Sequence, residues 1–151
     1  LLCRDGSGRL RRPCRRHARC GRRLPLTTAQ AANNYTYARA VDGDTVQLGN
    51  GKYVRLLGCD TPEVGTCGYA AAKSKMAVLV AGGVKLTNRS GQDRYGRILA
   101  YVETRDGRDI GTVMLRKGLA IARYDGLDGY GWHSKQRRYR KFDRKNGTIT
   151  C

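Results

Sequence analysis

The sequence predicts an α+β fold, five short strands with three helices among them, compatible with an OB-type barrel. Three observations carry that prediction. Apolar segments of strand length recur between Tyr35 and Glu103, punctuated by glycine-bearing turns. Three further stretches, opening at Gly68, near Asp109 and near Trp132, carry helical composition or spacing. The length, 151 residues, suits a single domain with its own core.

Residues 1–34 are rich in Arg, Gly and small polar residues and show no sustained hydrophobic period. They read as a disordered arm, or as a leader that the mature protein does not carry. Residues 35–151 read as the folded domain. Tyr35–Val41 and Asp44–Leu48 are predicted strands, and Gly49-Asn50-Gly51 supplies a turn before the returning strand Tyr53–Gly58. The alanine-rich stretch from Gly68 to about Val80 is a predicted helix stopped by Gly82-Gly83. Val84–Thr87 and Arg97–Glu103 follow as strands, and Arg105-Asp106-Gly107 turns the chain into a helix starting near Asp109. There Ile110, Val113 and Met114 share a face at i, i+3 and i+4. A short apolar segment, Leu119–Ala122, precedes a basic helix from about Trp132 to Lys145 whose stripe is Trp132, Gln136, Tyr139 and Phe142.

The net charge of +18 points to a polyanionic partner. Residues 1–26 hold nine arginines against one aspartate, and the remainder is still +10, so the body is basic without its arm. Six cysteines favour an oxidising compartment, and the protein is expected to be secreted. No apolar run approaches the ~20 residues needed to span a bilayer, so no stable membrane association is expected. Ala29-Gln30-Ala31 has the small-x-small form of a signal-peptidase site, but the residues before it lack an apolar segment. Either that segment is absent from this sequence, whose first residue is Leu1 rather than Met, or the first 26 residues are not part of the mature chain.

Against this basic background, four of the twelve acids fall within 22 positions: Asp42, Asp44, Asp60 and Glu63. Asp42-Gly43-Asp44 and Asp60-Thr61-Pro62-Glu63 each suit an ordinary turn when taken alone. Together they place oxygen donors where two apolar strands end, and two neighbouring strands can bring such donors over one end of a barrel. Two carboxylates do not fill a calcium shell of about six to eight oxygens, which leaves room for a backbone carbonyl, waters and a phosphate oxygen. Arg55 alternates into Val54-Arg55-Leu56-Leu57, and Arg97 follows Asp93-Arg94-Tyr95-Gly96. An arginine among apolar residues needs a partner or an outward face. Carboxylates fit to hold a divalent cation, beside guanidiniums fit to hold a phosphate, describe a phosphodiester-cleaving site.

The segments VDGDTVQL (41–48), YVRLLGCDTPEVG (53–65) and QDRYGRILAYV (92–102) resemble the staphylococcal nuclease (thermonuclease) family over about residues 35–145. The resemblance implies a five-stranded OB barrel with helices packed outside it. It implies Ca²⁺ held by Asp44 and Asp60 with the backbone carbonyl of Thr61, and Asp42 ordering the metal's waters. It implies Glu63 orienting or deprotonating the attacking water, Arg55 and Arg97 clamping the phosphate, and Tyr95 and Tyr124 lining the nucleotide pocket. Arg94 stands where the family's best-known member has lysine, which keeps the charge and changes its shape. The expected activity is Ca²⁺-dependent hydrolysis of DNA and RNA, single-stranded or unwound, by a monomer, leaving 3′-phosphate and 5′-hydroxyl ends. The rival readings are an OB-type nucleic-acid-binding module without catalysis and a cationic surface-active protein. The intact set of acids and arginines speaks against the first, and the narrow apolar stripe of 132–145 against the second.

The cysteines divide between arm and domain. Cys59 occupies a hydrophobic position and is expected to be buried and free. A Cys67–Cys151 disulfide is hypothesised to tie the chain end to the body, contributing about 3–5 kcal/mol. In the arm, Cys3, Cys14, His17 and Cys20 offer four soft ligands, but their spacing matches no common zinc finger or knuckle. His133 is expected at a helix start or on the surface rather than in catalysis.

Overall fold

A computed structural model describes residues 36–146. The expected arm, with Cys3, Cys14, His17 and Cys20, lies outside the described residues, as does Cys151. Strands β1 (Ala38–Ala40), β2 (Thr45–Leu48) and β3 (Tyr53–Leu56) form an antiparallel meander. A two-residue β4 (Cys59–Asp60) follows, then α1 (Tyr69–Val80), β5 (Val84–Thr87) and β6 (Ile98–Thr104). β6 pairs in parallel with β3 and antiparallel with β5, giving the order β1-β2-β3-β6-β5. Parallel neighbours cannot be joined by a tight turn, and α1 lies within the crossover between them. At the sheet's two edges, Thr36 and Val84 exchange backbone hydrogen bonds of 2.7 and 2.8 Å, which draws the curled sheet toward closure. This is the predicted α+β architecture: a five-stranded OB-type sheet with three flanking helices.

Local departures from the sequence reading have physical causes. The predicted strand Tyr35–Val41 divides between two partners, with Thr36 bridging β5 and Ala38–Ala40 pairing β2. The strand from Tyr53 ends at Leu56, because Gly58 takes a left-handed φ of 75° and redirects the chain. β4 then pairs with β7 (Ile121–Ala122), the core of the apolar segment Leu119–Ala122, in a separate two-stranded ribbon. The last helix, α3 (Gln136–Asn146), starts four residues later than Trp132. Its lead-in is held on Tyr101, whose hydroxyl accepts from the Lys135 amide (3.0 Å) and bonds His133 Nδ1 (2.7 Å).

The core gathers Val46, Val54, Leu56, Val84, Ala100 and Val102 from the sheet. α1 contributes Ala72, Met76, Leu79 and Val80, an i, i+4, i+7, i+8 stripe. α2 (Ile110–Arg116) contributes Ile110, Met114 and Leu115, and Cys59 is buried and free among these residues. Cys67 is disulfide-bonded.

Two aspartates fasten α3, one to α2 and one to the turn that precedes it. Asp109 caps α2, accepting from the Thr112 amide (2.9 Å) and hydroxyl (2.6 Å), and also accepts from Tyr139 Oη (2.8 Å) and Lys135 Nζ (2.8 Å) of the α3 region. Gly111 allows this approach, since a Cβ there would lie 2.4 Å from Tyr139 Oη. Asp125 is fully buried and held by a two-bond fork from Arg140, at 2.7 and 2.8 Å.

Both carboxyls titrate below the usual range. Burial works against the Asp109 charge, but the donors from Lys135, Thr112 and Tyr139 outweigh it; at Asp125 the Arg140 bonds dominate. A carboxyl depressed on folding lends stability that is present above its unfolded pKa of about 3.9 and lost as pH falls through its lower folded value. Denaturant titrations should therefore show stability declining below about pH 4. Asp125→Asn should cost about 3 kcal/mol at neutral pH and make that acid decline shallower. An unchanged midpoint at pH 7 would remove the Asp125–Arg140 fork from the stability argument.

Candidate active site

Strand register assembles the charged residues. Thr45 of β2 lies opposite Arg55 of β3, and the Leu56 amide donates to the Asp44 carbonyl at 2.8 Å, so Asp44 is fixed beside Arg55. On the other side of β3, Arg55 is in register with Leu99 of β6, two residues beyond Arg97. β4 carries Asp60 next to this group. The antiparallel β2–β3 pairing and the parallel β3–β6 pairing thus bring together residues up to 53 positions apart, from Asp44 to Arg97.

Arg55 is the central partner. Its Nη1 donates to Asp44 Oδ1 at 2.7 Å and its Nη2 to Asp60 Oδ1 at 2.8 Å, with all three side chains largely buried. Asp44 also accepts from the Thr61 amide (3.0 Å) and the Thr45 hydroxyl (3.1 Å). Burial still pushes the Asp44 carboxyl up to about 6; Arg55 opposes that rise, Asp42 adds to it, and the Thr61 and Thr45 donors lower it. For Arg55, burial works against the charge, but Asp44 and Asp60 more than compensate and hold the guanidinium more firmly protonated. The sequence pattern left Arg55 between an outward face and a buried pairing; the structure shows the pairing.

Arg97 is oriented by Asp93, which accepts from its Nε (2.7 Å) and from its backbone amide (3.0 Å). Its Nη1 reaches the Thr45 hydroxyl at 3.4 Å. The guanidiniums of Arg94 and Arg97 lie 4.8 and 5.3 Å from the Tyr95 ring centre, and Arg94 Nη2 donates to Tyr95 Oη at 2.7 Å. Tyr95 is 67% exposed, so its ring is open to a ligand. Tyr124 stands across the site, 5.4 Å from the Arg55 guanidinium and edge-on to Tyr130. Its backbone is left-handed, φ 58°, an uncommon state for a tyrosine, and Asp128 holds it there by accepting the Tyr124 amide at 2.7 Å.

These side chains surround a cleft of about 910 Å³ lined by Asp42, Asp44, Arg55, Thr61, Glu63, Arg94, Tyr95, Arg97 and Tyr124, among others. Asp60 sits behind Arg55 rather than on the cleft lining, with Arg123 3.7 Å from its second oxygen. Asp42 Oδ1 accepts the Asp44 amide at 3.1 Å and so shapes the turn. Glu63 is exposed on the rim, and its carboxylate has no ion pair among the described residues. Sequence reasoning missed Asp93, Asp128 and Thr45, which orient site residues. Only Asp93 carried a signal, its four-residue spacing from Arg97. His133 lies at the foot of α3 as expected, but it also lines the cleft with a buried Nε2 packed against Gly58. Burial lowers its pKa.

The oxygen donors near Arg55 fit a hard cation. Asp44 and Asp60 already share one cationic partner. Among the described residues no group of three or more His, Cys, Asp or Glu is placed to hold a metal ion. A cation here would rest on two carboxylates, with backbone, water or substrate oxygens completing its shell.

The family model described as Staphylococcal nuclease homologue matches residues 53–146, more than half of the chain. The chain belongs to that family. Endonuclease YncB of Bacillus subtilis (strain 168) is 39% identical over 103 residues, covering 60% of this chain and 48% of that protein. The SPbeta prophage-derived endonuclease YokF of the same organism is 39% identical over 101 residues, 59% of this chain and 34% of that protein. The Thermonuclease of Staphylococcus intermedius is 36% identical over 110 residues, 65% of this chain and 64% of that protein. The chain therefore spans about a third to two thirds of the length of these relatives.

One glycine of this nuclease-family site is sterically required. A Cβ on Gly43 would lie 2.7 Å from both Ala72 Cβ of α1 and Thr61 Oγ1. Gly43→Ala should therefore shift α1 or the Thr61 segment and destabilise the fold by about 1–3 kcal/mol, read by thermal denaturation. A variant as stable as the parent would mean that the turn adjusts freely and Gly43 does not set the Asp44–Thr61 contact.

Proposed function

We propose that this chain is a Ca²⁺-dependent, sugar-non-specific endonuclease. It hydrolyses DNA and RNA, single-stranded or unwound, to 3′-phosphate and 5′-hydroxyl ends, and acts as a secreted monomer. One observation supports this above the rest: Asp44, Arg55, Arg97, Glu63 and two tyrosines line a single cleft, with Asp60 paired to Arg55 just off its lining. Family membership and the endonuclease names of its relatives point the same way. Secretion is favoured by six cysteines, with Cys67 in a disulfide.

Asp44 and Asp60, with the Thr61 backbone, would hold the Ca²⁺, which when bound supplies positive charge to a phosphate oxygen. Arg55 spends one N–H on each carboxylate and keeps three of its five donors for a phosphate. Arg97, its Nε held by Asp93, presents its remaining edge from the other side. Tyr95 and Tyr124 offer ring faces on which bases stack without sequence preference. The Glu63 carboxylate, exposed on the rim and without an ion pair among the described residues, takes a proton from a water. That water attacks phosphorus opposite the 5′-oxygen, whose P–O bond breaks, and the departing oxygen takes up a proton from solvent to become the 5′-hydroxyl. The guanidiniums stabilise the charge that gathers on the equatorial oxygens.

Degradation of single-stranded DNA should need added Ca²⁺ and stop in EDTA. Glu63→Gln should lower turnover by on the order of 10²–10⁴-fold with the melting temperature unchanged. Binding without cleavage under any metal would leave a nucleic-acid-binding module instead. Arg97→Lys should cost on the order of 10²-fold, since an ammonium cannot both engage Asp93 and present a planar fork. A silent Arg97→Lys would reduce Arg97 to a general electrostatic contributor.

A further inference from the structure

Past the cleft, the surface carries a second feature that the cleavage chemistry does not use. Trp132 lines both the cleft and an adjoining groove of about 400 Å³, which is bounded by Leu127, Gln136, Arg137, Arg140 and Arg144. Trp132 is 71% exposed, Leu127 65% and Tyr130 60%, a run of large apolar side chains turned to solvent beside the site. The tryptophan is seated rather than loose. A Cβ on Gly126 would lie within 2.4–2.6 Å of three indole atoms, so the ring rests directly on backbone. That backbone is fixed in turn, because the Gly126 amide donates to the buried Gln136 side chain at 3.0 Å.

The charge around this platform has one sign. α3 carries Arg137, Arg138, Arg140, Lys141, Arg144 and Lys145 against the single Asp143. The acids facing the groove from the preceding turn, Asp125 and Asp128, are both taken by Arg140 at 2.7–2.8 Å. Arg137 and Arg144 are exposed and have no ion pair or hydrogen bond among the described residues. A seated indole flanked by unpaired guanidiniums suits a chain that alternates planar rings with phosphates. Tyr130, edge-on to Tyr124 at 5.4 Å, makes the path from the cleft to Trp132 continuous.

We propose that this groove is an outer binding site for single-stranded nucleic acid, taking a strand that continues out of the cleft. A base stacks on Trp132, and the neighbouring phosphates lie against Arg137 and Arg144. The inference rests on the nucleic-acid reading of the cleft and adds a length requirement to it: strands long enough to reach Trp132 bind more tightly than those filling the cleft alone, whatever their sequence.

Trp132 is the chain's single tryptophan and lines both the cleft and the groove, so its emission reports a strand that reaches it. In EDTA at low salt, a 12-nucleotide oligothymidylate should quench Trp132, and a dinucleotide should not. Trp132→Ala should weaken 12-mer binding by about 5- to 100-fold in fluorescence anisotropy and erase most of the gain in affinity with length. The exposed pair Arg137→Gln/Arg144→Gln should lower 12-mer affinity and reduce the slope of log affinity against log salt by about 1.4. A bound 12-mer that leaves the emission unmoved, or binds Trp132→Ala as tightly as the parent, overturns the proposal and assigns the groove to another partner. A 12-mer that quenches but is not cut when Ca²⁺ is restored upholds the outer site and defeats the nuclease reading.

Discussion

The Arg55 guanidinium, shared between Asp44 and Asp60, is the interaction on which the site depends. Two carboxylates and an arginine, largely out of water, would each be costly alone. Their mutual bonds offset that cost and also fix geometry. Asp44 sits at the foot of β2, Arg55 within β3 and Asp60 in β4, so one cation ties three elements. The Thr61 amide and the Leu56–Asp44 backbone bond lock the same corner from the main chain. The sheet's register and the site's charge are therefore one constraint, since a one-residue slip of β3 would turn Arg55 to the opposite face.

A second network transmits position from the outer helix to the cleft. Arg140 of α3 holds Asp125 and Asp128, Asp128 holds the strained Tyr124 backbone, and Tyr124 lies against Arg55. The φ of 58° at Tyr124 is tolerable because it is held by a carboxylate that is itself paired. Asp109 plays the corresponding part on the other side of α3, joining it to α2 through Tyr139 and Lys135. Arginines with carboxylate partners thus both build the frame, as Arg140 does, and present donors to the cleft, as Arg55 and Arg97 do.

Much of this was legible in the residues, though unevenly. The strands Val84–Thr87 and β2 follow directly from short β-branched and apolar runs, and Asp109 announces its helix as a cap. The β4–β7 ribbon was not legible, because two residues a side carry no period. The late start of α3 was hidden for a related reason: the residues before it are held by Tyr101, a contact 32 to 34 positions away. In the site, the acids and arginines stood out against a basic background, and their motifs placed them. Their orienting partners did not stand out, since an aspartate in a turn looks the same whether it holds Arg97 or faces solvent. Arg55 shows the limit most plainly. Alternation told that it shares no face with Val54 and Leu56, but not that two carboxylates wait on the face it takes.

The Asp44 carboxyl gives the charge logic its last step. In a chain of net charge +18, a carboxyl pushed up to about 6 is unexpected, because the long-range field favours its ionised form. Burial is the main cause, Asp42 adds to it, and the Arg55 bond together with the Thr61 and Thr45 donors does not fully reverse it. The corner is therefore a desolvated place for negative charge, while the surface carries an excess of positive charge. A small, doubly charged, oxygen-seeking ion would suit the two carboxylates already gathered there. Excess positive charge outside suits a polyanion, and the two carboxylates gathered inside are what a cation at this corner would rest on.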